Sequence, residues 1–96
     1  VLGDMLELGM KEVMFHEEIS TWPELAGIDI IHTVGPLMHN LHSQLPTNKK
    51  GCHYRNKIEI ISDVKNILRK GDIVLIKSSK SVGLSSLVDA MRDMKI

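Results

Sequence analysis

Two short stretches hold residue types able to do chemistry. The first, Gly3-Asp4-Met5-Leu6-Glu7-Leu8-Gly9, sets the carboxylates of Asp4 and Glu7 in a turn directly after the apolar pair Val1-Leu2. The second, Lys77-Ser78-Ser79-Lys80-Ser81-Val82-Gly83, offers lysines and serines ahead of a helical apolar pattern. Carboxylates can hold an ammonium group or take a proton. Lysines, and backbone N–H groups ahead of a helix, can meet a carboxylate or a phosphate. Together the stretches suit a small polar ligand bearing charge of both signs. The plainer alternatives are a helix-approach turn for Gly3-Asp4 and a solvated loop for Lys77–Lys80. Neither a Gly-x-x-x-x-Gly-Lys-Ser/Thr phosphate loop nor a Gly-x-Gly-x-x-Gly run is present, so this chain alone is not expected to hold ATP or a dinucleotide tightly.

The histidines offer less. His39 and His42 stand three apart on a helical stretch, and His53 follows Cys52. No second spaced set completes a zinc pattern, so no metal site is expected. His39 and His42 are expected to be solvated helix histidines, and His32 a satisfied core or edge residue. His16 follows the Asp4 turn on the next helix and could face back toward it.

Elements that would position these residues alternate along the chain. A strand at Val1-Leu2 is followed by a helix from Met10 to about Ser20, with Phe15, Ile19, Trp22 and Ala26 on one face. Pro23 predicts a break near Thr21, and Gly27 a C-cap. A strand over Asp29–Val34 leads through Gly35-Pro36 into a helix with the stripe Leu37, Met38, Leu41 and Leu45. After the turn cluster Pro46–Gly51 comes a short edge strand at Cys52–Tyr54. Asn56 with Glu59 resembles a capping box, opening a helix with Ile58, Ile61, Val64 and Ile67 at helical spacing. Gly71 would cap that helix. Ile73–Ile76 has no polar alternation, as for a strand covered on both faces. The last helix carries Leu84, Leu87, Val88, Met91 and Met94 on one side.

Such alternation predicts an α/β fold: a Rossmann-like three-layer α/β/α arrangement with a mostly parallel sheet. Right-handed crossovers give the spatial order Cys52 strand, Asp29 strand, Val1 strand, Ile73 strand. The two chemistry-bearing loops would then meet at the switch point, where open α/β sheets bind ligands. The 96 residues form one domain, 43% apolar and 25% charged, with twelve basic residues balancing twelve acidic ones. That balance leaves no global field to steer nucleic acid or an anionic membrane. One cysteine, no signal peptide and no membrane-length apolar run point to a cytoplasmic protein. Because the first strand opens at Val1 without an approach segment, the chain is expected to be an N-terminally truncated piece of a longer protein.

Gly3-Asp4-Met5-x-Glu7-Leu8-Gly9 followed by His16, Ala26-Gly27-Ile28-Asp29 with Val34-Gly35, and Gly71-Asp72-Ile73-Val74-Leu75-Ile76-Lys77 with Ser79 resemble the C-terminal domain of the Mur ligases. The first run is the most specific, and points to the branch that joins D-alanyl-D-alanine to UDP-N-acetylmuramoyl-tripeptide in peptidoglycan precursor synthesis. The resemblance implies ATP-dependent amide formation, in which an acyl phosphate made with ATP and Mg2+ is attacked by the dipeptide amine. It implies that ATP and Mg2+ are bound mainly by a central domain this chain lacks. It further implies that residues 1–96 are a partial amino-substrate-binding domain, inactive alone. On that analogy Asp4, Met5, Glu7 and His16 form the substrate or ATP-side loop, and Lys77, Ser79 and Lys80 bind the dipeptide carboxylate or phosphate oxygens. Ser78 departs from the family's usual Gly, and Pro23 is unexpected within the first helix. A stand-alone non-catalytic α/β module, or a gene remnant, is the alternative.

Overall fold

The computed structural model describes residues 1–4, 18–69, 71–79 and 82–93. Met5, Glu7, His16, Lys80, residues 10–17 of the helix expected from Met10 to about Ser20, and Met94 lie outside the described residues.

Three parallel strands, β1 (Leu2–Gly3), β2 (Ile31–Val34) and β3 (Lys50–Tyr54), form the sheet in that spatial order. Lys77 adds a parallel bridge on the free side of β1, paired with Leu2. The order β3, β2, β1, Lys77 is the one the crossover rule predicts. Helix α1 (Met38–Gln44) covers one face, where Met38, Leu41 and Leu45 pack on Ile19 and Ile31. Helices α2 (Lys57–Ile67) and α3 (Ser85–Arg92) cover the other, where Ile60, Val64, Leu84 and Leu87 pack on Val34 and Tyr54. Helices on both faces make three layers. No helix among the described residues is long and apolar enough to cross a membrane.

Local chemistry accounts for several element ends. Pro23 stands first in a 3-10 segment, Pro23–Gly27, separated from another at Ile19–Thr21 by the extended Trp22. The break therefore falls where proline cannot donate to a preceding turn. It also turns Trp22 and Ala26 outward, so the expected single face with Ile19 is not formed; Ile19 alone of the three is buried. At the start of α2, Asn56 Oδ1 accepts the Glu59 N–H at 3.1 Å. Glu59 reaches back to the Arg55 N–H at 2.6 Å, one residue earlier than in a standard capping box.

Other expectations fail for tertiary reasons. Of the stripe expected on α2, Val64 is buried and Ile61 and Ile67 pack against the core, whereas Ile58 is 69% exposed and Ile60 is buried in its place. Val88 is likewise exposed on α3: Leu84 and Leu87 face the core instead. Gly27 ends its segment without a left-handed conformation, and α2 ends at Ile67, so Gly71 (φ 93°) serves the Arg69–Asp72 turn rather than a helix cap. Ile73–Ile76 is not a covered strand. Ile73 is fully exposed and Leu75 65% exposed. The segment's pairing with the first strand lies at its far end, where the Lys77 N–H donates to the Val1 carbonyl at 3.0 Å.

Lys49 has an unforeseen structural task. Its ammonium donates to the carbonyls of Leu25 (3.1 Å), Ala26 (3.3 Å) and Ile28 (2.6 Å), closing the end of the 3-10 segment against the sheet. Charge-assisted bonds of this kind contribute about 1.5–3 kcal/mol. Lys49→Met is therefore expected to lower unfolding free energy by about that much in urea titration; a loss under about 0.5 kcal/mol, the range of an ordinary surface change, would contradict it.

Candidate functional site

The carboxyl ends of all the strands lie at one rim. There the Asp4 N–H donates to the Val34 carbonyl at 3.1 Å, and the Gly35 N–H to the Tyr54 carbonyl at 2.9 Å. From the other side, the Gly3 N–H donates to the Lys77 carbonyl at 2.8 Å and the Ser79 N–H to the Asp4 carbonyl at 3.1 Å. The two chemistry-bearing loops thus touch through their backbones, as the expected strand order requires.

The Asp4 side chain is 4% exposed and turned into the protein. Its carboxylate accepts the N–H groups of Met38 (2.8 Å) and Leu37 (3.2 Å), capping α1 from another strand. The acceptor serves a helix 34 residues away, whose own N-cap residue, Leu37, has no side chain able to accept. A carboxylate at a helix N-terminus also meets the positive end of the helix dipole.

Beside this junction an open groove of about 480 Å³ is lined by Ile76, Ser78, Ser79, Leu84, Ser85 and Val88. Serine hydroxyls line one part and apolar side chains another. Lys77, between the lining residues Ile76 and Ser78, is exposed, and Ser78 donates to the Ser79 carbonyl at 3.2 Å. Of the residues the sequence singled out, Asp4, Lys77 and Ser79 are therefore together. Ser85 and the apolar wall were not foreseen; the serine standing directly after Leu84 at the helix start was their only local signal.

On the α1 side of the sheet, His53 lies 5.3 Å from His39 and 5.5 Å from His42, ring centre to ring centre. Burial pushes the His53 imidazole pKa down, aided by His42 and His39 and opposed by Asp4 and Glu59. Its Nδ1 bonds the buried Thr33 hydroxyl at 2.7 Å. His42 is half-buried and bonds the Gly51 carbonyl rather than standing in solvent. Among the described residues no group of three or more His, Cys, Asp or Glu side chains is arranged to hold a metal ion.

Comparison with known proteins gives one consistent result. The chain is 36% identical over 91 residues to the UDP-N-acetylmuramoyl-tripeptide–D-alanyl-D-alanine ligase of Bacillus subtilis, covering 92% of this chain. The same-named ligases of Buchnera aphidicola subsp. Baizongia pistaciae and Rickettsia prowazekii are 32% and 29% identical, over 95% and 93% of it. The resemblance to the Mur ligases holds along nearly the whole chain. The chain spans about one fifth of the length of each of these ligases. No protein-family model matches the chain. No solved structure matches it.

Proposed function

We propose that this chain is the C-terminal, amino-substrate-binding part of an ATP-dependent amide-forming ligase that adds D-alanyl-D-alanine to UDP-N-acetylmuramoyl-tripeptide. The observation carrying this reading is the Ser79–Asp4 backbone bond at 3.1 Å. It brings the Lys77–Ser79 loop and its groove to the rim where parallel sheets bind ligands. The nearly chain-long similarity to ligases of that name supports the same reading.

A dipeptide of this kind has a carboxylate, an ammonium group and two methyl groups. In this proposal Lys77 and the Ser79 hydroxyl hold the carboxylate, with Lys80 alongside, while Ile76, Leu84 and Val88 take the methyl groups. Asp4 acts by positioning: it anchors α1 and, through its carbonyl, the Ser79 backbone. Met5, Glu7 and His16 are proposed to act with Asp4 as the substrate or ATP-side group. The sequence carries no phosphate loop for ATP. ATP and Mg2+ would be bound by parts of the ligase outside this chain, leaving to it the grip and orientation of the nucleophile.

The test is steady-state kinetics of the full ligase with Lys77→Met. Losing a charge-assisted contact of about 1.5–3 kcal/mol raises KM for D-alanyl-D-alanine roughly ten- to a hundredfold. KM for ATP and for the UDP-linked acceptor should barely move. An unchanged dipeptide KM would remove Lys77 from the binding site.

A further inference from the structure

The pairing of β2 with β3 slips. Ile31 faces Lys50, but Thr33 faces His53, so three steps on β3 oppose two on β2. An extra residue of this kind takes a peptide group out of the ladder. Here the Gly51–Cys52 peptide has two side-chain partners instead. Its carbonyl bonds His42 Nε2 at 3.2 Å, and its N–H donates to His32 Nδ1 at 3.0 Å. A Cβ at Gly51 would lie 2.6 Å from that Nδ1 and 2.7 Å from the Ile31 carbonyl oxygen, so a side chain has no room there.

Hydrogen-bond polarity fixes both rings. A carbonyl only accepts, so His42 Nε2 carries a hydrogen, which it does whether neutral or charged. A backbone N–H only donates, so His32 Nδ1 must present a lone pair, and His32 is the neutral Nε2–H tautomer. We infer that the Gly51–Cys52 peptide is clamped by two imidazoles in opposite roles, and that protonation of His32 alone releases it, making edge strand β3 a pH-sensitive element.

The charged and titratable surroundings agree. Facing His32 are Asp63 of α2 and Cys52 of β3. Burial pushes the His32 pKa below its ordinary 6.5, and Asp63 opposes this. Facing His42 on the other side is His53, itself near His39, Asp4 and Glu59. Protonating His42 or His53 leaves both clamp bonds formed. A histidine whose pKa is depressed by folding contributes stability above its ordinary pKa, lost as pH falls from there toward the folded value.

Hydrogen exchange of the Cys52 amide between pH 7.5 and 5 tests this. Its protection factor should be flat above about pH 6.5 and then fall by up to about tenfold per unit. In His32→Asn, whose side-chain oxygen stands where Nδ1 does and accepts without titrating, the fall should vanish. Unchanged protection in the unaltered protein, or the same fall in His32→Asn, would overturn the inference. Imidazole nitrogen shifts of the unaltered protein give a second reading at pH 7.5: the Nε2–H tautomer of His32 is expected, and the Nδ1–H tautomer or the cation would overturn it.

Discussion

Asp4→Ala is expected to destabilise the fold by about 2–6 kcal/mol, counting two orphaned N–H groups at about 1–3 kcal/mol each. The carboxylate receives the Leu37 and Met38 N–H groups, and at 4% exposure little water can replace it. Helix α1 is seven residues long, well below the length at which a helix holds itself together. Its packing on Ile19 and Ile31 therefore relies on a fixed N-terminus. Asp4→Asn keeps one accepting oxygen and should cost about 1 kcal/mol, near an ordinary cap loss. Urea unfolding of the three proteins measures the series. Equal stability of Asp4→Ala and the parent would show that the cap contributes nothing.

Gly35→Ala is expected to cost about 3 kcal/mol or more, because strain and overpacking add. Gly35 has φ 108°, which side-chain-bearing residues rarely adopt, and a Cβ there would stand 2.5 and 2.6 Å from the Asp4 carboxylate oxygens. The two positions should therefore be coupled. In the Asp4→Ala background the clash disappears and only backbone strain remains, so the Gly35 change should cost about 0.5–3 kcal/mol less there, the usual range for touching residues. A double-mutant cycle by urea denaturation reads this directly. Additivity within about 0.3 kcal/mol would mean that Asp4 and Gly35 do not meet.

These two residues show what the sequence could and could not reveal. Gly35 after an apolar strand, with Pro36 next, signals a turn into a helix from local pattern alone. That Asp4 would occupy the space this glycine leaves has no local signal, since Leu37 and Met38 lie 33 and 34 residues away. The strand order and the meeting of the two loops followed from alternation and crossover handedness, which are properties of the chain path. The Asn56–Glu59 cap was legible because both partners sit within one turn. Lys49 and the Gly51 bulge were not, because their partners are carbonyls and rings on distant segments. Ile73–Leu75 misled for another reason. An apolar run signals a covered strand only if a neighbour covers it, and Ile73 and Leu75 are exposed.

The central claim is that the Asp4 turn and the Lys77–Ser79 loop build one rim that grips a dipeptide nucleophile. A crystal structure of the full ligase with D-alanyl-D-alanine tests it most directly. The dipeptide carboxylate is expected within about 3 Å of Lys77 or Ser79, at ordinary hydrogen-bond distance, with its methyl groups against Leu84 and Val88. A dipeptide bound at the opposite, amino ends of the strands, clear of both loops, would contradict it.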